Sequence, residues 1–124
     1  MTEYVVLIVG DANRWWTTMD EDQRKAGYAE YNRFGAELTQ RGHKIVGGAE
    51  LHATTEAKRI PGGGGEVTDG PFAEVTEQVG GFYRVESDDL DDLMECCQII
   101  ASLGDSIEVR RVVRPEDRPG SADG

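Results

Sequence analysis

The residues whose types and spacing could do chemistry gather in one stretch, EVTDGPFAEVTEQVGGFY at 66–83. Asp69 stands between two segments that otherwise alternate like a β-hairpin. Asp69, Gly70 and Pro71 together have turn chemistry: the carboxylate can accept backbone N–H bonds, Gly70 permits a positive φ, and a residue before proline is pushed toward extended backbone. Pro71 cannot donate to a ladder, so the strand must break or bulge there, with Phe72 placed to anchor the bend in the core. Two readings stay open. In one the motif is a bend and no more; in the other Asp69 is a carboxylate in an apolar pocket, where a raised pKa lets it serve as a general acid or base near neutral pH.

Other groups could share such a pocket. His52 follows the segment GGAEL and could face the same cavity or sit exposed at a strand end. Tyr31, on a helical stripe, could hydrogen-bond a ligand or Asp69, or be core with a satisfied hydroxyl. Tyr83 is adjacent to Phe82 on a strand, so only one of the two faces a given side of the sheet. Glu77 could orient Asp69 or pair across strands. Trp15 and Trp16, beside Arg14, read as a lid over a cavity or as a staple at a helix start. His43, directly after Gly42, reads as solvent-facing or capping. Two histidines without a cysteine or carboxylate cluster at ligand spacing predict no dedicated metal site. Nothing demands a cofactor.

These groups have to be positioned by a regular order of elements. YVVLIVG at 4–10 reads as a central strand buried on both sides. Thr17 or Thr18 is expected to cap a helix opening with Asp20, Glu21 and Asp22, carrying Tyr28, Tyr31, Phe34, Gly35 and Leu38 on one face and ending at Gly42. Strands follow at 44–52, with Gly47 and Gly48 inviting a bulge, and at 55–60, running into a flexible hairpin tip, PGGGG at 61–65. VTDGPF begins the return, and 77–87 is another strand with a second glycine pair. Ser87 or Asp88 is expected to cap a second helix with a stripe of Leu90, Leu93, Met94, Cys97, Ile100 and Ala101, leaving Cys96 off it. SIEVRRVVR at 106–114 is the last strand. Arg110, Arg111 and Arg114 form a short basic cluster, read as balancing nearby carboxylates. The domain is read as residues 1–114 and the tail, 115–124, as loose.

The chain has 124 residues, enough for one domain with one modest core. Its 24 acidic residues against 13 basic give a net charge of −11, which argues against nucleic acid or an anionic membrane as partner. No apolar run is long enough to span a bilayer, and the first strand lacks the basic lead-in of a secretion signal, so a cytoplasmic protein is expected. The adjacent Cys96 and Cys97 exclude a disulfide framework and read as reduced thiols.

The order β-α-β, an extended hairpin, then α-β predicts an α+β fold: a ferredoxin-like βαββαβ subunit with two helices on one face of an antiparallel sheet. The opposite face would be bare, which predicts a homodimer.

The segment VTDGPFAEVTEQVGGFYRVESDDLDD resembles the signature of the YCII-related family, in its DGPF branch. The likeness extends to the first strand ending in Gly-Asp, the tyrosine-bearing helix ending at Gly42, GGAEL at 47–51 and EVRRV at 108–112. It implies a dimeric α+β barrel with a ligand cavity, the DGPF bend lining it and Asp69 aimed inward. It implies no particular reaction. Asp69, His52 and Tyr31 are the residues expected to do acid/base chemistry on an unidentified small molecule. Gly70, Pro71, Phe72, Tyr83, Trp15 and Glu77 are expected to line its site. Relatives without the DGPF signature often pair a histidine of the first helix with an aspartate; the nearest equivalent here is Tyr31, which departs from that pattern. Some members of the DGPF branch are encoded beside extracytoplasmic-function sigma factors, so a non-enzymatic regulatory protein is the alternative reading.

Overall fold

The computed structural model describes residues 1–70 and 78–120. Four strands form the main sheet: β1 (Thr2–Gly10), β2 (Lys44–Glu50), β5 (Gln78–Ser87) and β6 (Ser106–Arg111), in the order β2-β5-β1-β6. Every neighbouring pair is antiparallel. The helices α2 (Glu21–Gln40) and α3 (Leu90–Ala101) connect β1 to β2 and β5 to β6. This is the α+β, ferredoxin-like arrangement expected from the sequence.

Alternation along the strands sorts the side chains. Val6 and Ile8 of β1 and Val85 of β5 point toward the helices and pack with Phe34 and Leu38 of α2 and Leu93, Cys97 and Ile100 of α3. Fully burying a side chain of this size is worth about 1.5–3 kcal/mol, so this single layer carries most of the stability. On the other face Leu7 stands opposite Phe82, Val5 opposite Arg84, and Val9 opposite Val79. Val5, Leu7, Val9 and Phe82 in this row are half-buried and Val79 is exposed.

The helix starts differ from expectation. Asp11 caps a short helix, α1 (Ala12–Thr17), by accepting bonds from Asn13 N and Arg14 N. Trp15 and Trp16 therefore lie on a helical turn. The hydroxyls of Thr17 and Thr18 bond back to Asn13 O and Arg14 O, which removes both as caps of the next helix. Asp20 caps α2 instead, in a reciprocal box with Gln23. Asp89 likewise caps α3, while the Ser87 hydroxyl turns inward and accepts from Asp89 N at 3.0 Å. Gly42, at φ +88°, ends α2 as expected.

Other corrections concern burial. Leu90 and Met94 are exposed, whereas Cys96 is buried beside Cys97. The reason is that α3 packs on α2 as well as on the sheet, which turns its buried arc toward Cys96. His43, expected in solvent or in a cap, is 6% exposed, and its N–H donates to Leu38 O at the end of α2 at 2.9 Å.

The expected glycine-tipped hairpin is present but short, with β3 (Lys58–Arg59) against β4 (Thr68–Asp69). Residues 54–56 form a 3-10 turn, so the extended segment begins later than expected. The tail is folded over Pro115–Asp117, where Asp117 accepts from Arg111 at 2.7 Å and from the Arg114 backbone at 2.9 Å. Two of the three tail-end arginines thus balance a carboxylate, as their spacing suggested.

Candidate functional site

A pocket of about 340 Å³ opens at the end of the sheet where β1 finishes and β5 begins. Its floor is the glycine-rich part of β5 and β2. Gly80 is the extra residue of a bulge, since Ile8 pairs with Gly81 and Val9 with Val79. A Cβ on Gly48, at φ +149°, would lie 2.5 Å from Phe82 O. The missing side chains leave room above the strands, and the bulge turns the end of β5 toward α1. The glycine pairs noted in the sequence serve this space.

Aromatic side chains wall it. Trp15 reaches back onto α2, where a Cβ on Gly27 would stand 2.6 Å from the indole, so only glycine admits that ring. Its ring meets Tyr28 edge-on at 5.1 Å and Tyr31 at 6.4 Å, and Tyr31 lies 6.5 Å from Tyr83. Trp16 completes the rim, its indole N–H directed at Leu51 O at 3.4 Å. The Tyr31 and Tyr83 hydroxyls, both facing the pocket, bond no described residue. Trp15 Nε1 is buried and meets no acceptor at hydrogen-bonding geometry among the described residues, although it is near enough to the Tyr28 hydroxyl to influence it.

The charged groups among the described residues are Asp11, Arg14, Glu50 and Asp105. Arg14 lies 3.7 Å from Asp105 Oδ1, and Glu50 Oε1 accepts from the Tyr28 hydroxyl at 2.7 Å. Asp105 is pressed against Gly10, whose missing Cβ leaves the carboxylate its place. Burial pushes the Asp105 carboxyl above the usual carboxylate range, with Arg14 pulling it back and Asp11 adding to the rise. Burial also raises the Tyr31 hydroxyl far above the usual phenol range, reinforced by Asp105, Tyr83 and Glu50. Tyr83 rises for the same first reason, with Glu50 second. The tyrosines are held as neutral O–H donors, and burial makes the Asp105 carboxyl hold its proton more firmly than usual.

The residues singled out in the sequence divide. Tyr31, Tyr83 and Trp15 line the pocket. His52 stacks on Trp16 at 4.7 Å, and its Nδ1 accepts from Ala53 N, which makes it a support behind the rim. Asp69 lies on the exposed hairpin, its carboxylate 2.6 Å from Lys58 Nζ and its side chain 73% exposed. Gly70 is packed against Thr54 O so closely that no Cβ fits. Thr54 in turn bonds Asn13 of α1 through its hydroxyl at 2.8 Å. The described half of the DGPF motif therefore braces the segment that holds α1 and does not line the cavity. Pro71, Phe72 and Glu77 lie outside the described residues. The sequence reading missed Asp105 and Glu50. Asp105 follows a helix-ending glycine and reads as turn chemistry, and Glu50 looks like any polar residue at the end of an edge strand.

At the far end of the sheet the fold joins His43, Asp92 and Cys96, with one donor atom of each within 4.8 Å of the others. Separated by 49 and 4 positions, they carry no ligand spacing in the sequence. The histidine and aspartate atoms are already engaged: His43 Nε2 lies 2.7 Å from Asp92 Oδ2, His43 Nδ1 lies 2.8 Å from Ser87 Oγ, and Arg41 holds the other Asp92 oxygen. The arrangement ties β2, β5 and α3 together.

Two comparisons with known proteins bear on the chain. The sequence profile of the YCII-related domain matches residues 2–115. None of the curated proteins matches it.

Proposed function

The chain belongs to the YCII-related family, and from that premise we propose that it binds a small organic molecule in the aromatic pocket beneath α1, acting as a homodimer. The observation that carries this reading is the pair of tyrosine hydroxyls, Tyr31 and Tyr83, facing an open, mostly apolar space without a described partner. A hydroxyl on the wall of an open pocket has its donor to offer, and a ligand that accepts from it gains a directional hydrogen bond inside a mostly apolar space. Asp105, with its raised pKa, gives or takes a proton on the bound molecule while Tyr31 holds the polar atom next to the reacting centre. This reading moves the acid/base role from Asp69 to Asp105. The DGPF branch motif then supports the site from outside through Gly70, Thr54 and Asn13.

The second copy covers the row of Val5, Leu7, Val9, Val79 and Phe82 on the face turned away from the helices. Charges of both signs border this row, among them the Glu3–Arg84 pair, which suits a self-complementary two-fold contact.

The test uses the two tryptophans, the only ones in the chain and both at the pocket. Their fluorescence is titrated with small amines, carboxylic acids, lactones and phenols, for the wild type, Tyr31→Phe and Asp105→Asn. Saturable change in the wild type, weakened in Tyr31→Phe, supports the pocket. A wild type that responds to no compound while remaining folded defeats the reading.

A further inference from the structure

The charges around the pocket restrict what it takes. Among the described residues, three carboxylates, from Asp11, Glu50 and Asp105, face it against one guanidinium, that of Arg14. Arg14 is engaged by Asp105 and lies against Gly104, 3.3 Å from where a Cβ would stand. With that pair set aside, Asp11 and Glu50 remain. Asp11 is spent on the cap of α1, leaving Glu50 as the charge at the mouth of the aromatic wall.

We infer, building on the small-molecule reading above, that the occupant is an organic cation, a protonated or quaternary amine on a compact apolar body, received between the pocket aromatics and the Glu50 carboxylate. Aromatic faces attract cations through their quadrupole, by about 0.5–2 kcal/mol per ring depending on solvation. Trp15, Trp16, Tyr28 and Tyr31 supply those rings from two helices, and Glu50, bonded to the Tyr28 hydroxyl at 2.7 Å, supplies the counter-charge from the facing strand. The same negative field is felt by the neighbouring phenols: burial is the first cause that raises the Tyr28, Tyr31 and Tyr83 hydroxyls, and Glu50 adds to it in each. An anionic ligand would enter against that field and against the net charge of −11.

The experiment compares phenethylamine, phenethyl alcohol and phenylacetate, three probes of similar size with positive, zero and negative charge, by calorimetry on the full chain. Glu50→Gln and Glu108→Gln are the variants; Glu108 stands opposite Leu7, on the face away from the helices. The expected result is amine binding about tenfold or more tighter than the carboxylate, weakened by added salt. Glu50→Gln abolishes the preference and Glu108→Gln keeps it. Equal or tighter binding of the alcohol or the carboxylate overturns the inference but leaves the small-molecule reading standing. A preference unchanged in Glu50→Gln also overturns it. Failure of all three probes, together with failure of the wider panel above, removes both.

Discussion

His43 Nε2 lies 2.7 Å from Asp92 Oδ2, joining the residue before β2 to the first turn of α3 at the end of the sheet opposite the pocket. The imidazole is nearly excluded from solvent and also meets Ser87 Oγ at 2.8 Å. His43→Ala leaves the inner Ser87 hydroxyl and Asp92 without this partner, and its expected cost is about 1–3 kcal/mol. Urea unfolding measures it, and tryptophan fluorescence of the folded state should not change, because the pocket is remote.

The bond to His43, followed by that to Arg41, holds the Asp92 carboxyl below the usual carboxylate range. A carboxyl depressed on folding contributes stability that is present above its unfolded pKa, about 4, and is lost as pH falls through the folded value. Asp92→Asn is therefore expected to lower the unfolding midpoint at neutral pH and to flatten its fall below about pH 4. A variant whose acid limb matches that of the wild type contradicts this assignment.

Asp105 has the opposite sign. Its folded pKa is raised, so its contribution is fully present below the unfolded value and lost as pH rises through the folded one. Asp105→Asn should gain stability relative to the wild type at neutral pH and not at about pH 3, while losing any proton-transfer activity. Thermal melts across that window check the sign.

Gly27→Ala sets a methyl against the Trp15 indole. The helix gains up to about 1 kcal/mol in propensity from the change, but the clash costs about 1–3 kcal/mol, and Trp15 must leave its place. Weakened ligand response with a small change in melting temperature is the expected pattern. Unaltered tryptophan emission would contradict it.

Leu7→Glu places a charge in the middle of the uncovered sheet face without touching the helix-side core. Sedimentation should find a dimer for the wild type and a monomer for the variant. Identical masses for the two proteins would remove the second copy from that face.

Asp69→Asn changes only an exposed ion pair with Lys58, so its expected effect on stability is within about 0.5 kcal/mol and ligand response is kept. Loss of binding with intact folding would return Asp69 to the site.

What the sequence by itself determined follows from local chemistry and periodicity. The spacing of Phe34, Leu38, Leu93, Cys97 and Ile100 marks two helix faces, the β-branched run at 4–9 marks the central strand, and Gly42 marks a helix end. Together they are enough to order the elements and to expect helices on one side of an antiparallel sheet. Tyr31, Tyr83 and Trp15, singled out in the sequence for a helical stripe, a glycine-flanked strand and a helix start, line the pocket.

Tertiary structure decided the rest, because it turns on distances between residues far apart in the chain. Asp105 becomes a pocket carboxyl only when the loop after α3 returns to Gly10 and Arg14. Glu50 matters because β2 is an edge strand whose last residue meets Tyr28 across the opening. His43 left the surface because three elements close over it, which no neighbouring residue announces. Asp69 has the turn chemistry that made it conspicuous, yet a two-residue strand pairing leaves its carboxylate in solvent. A motif's residue types set what it can do, and the packing around it sets which side of the chain faces a ligand.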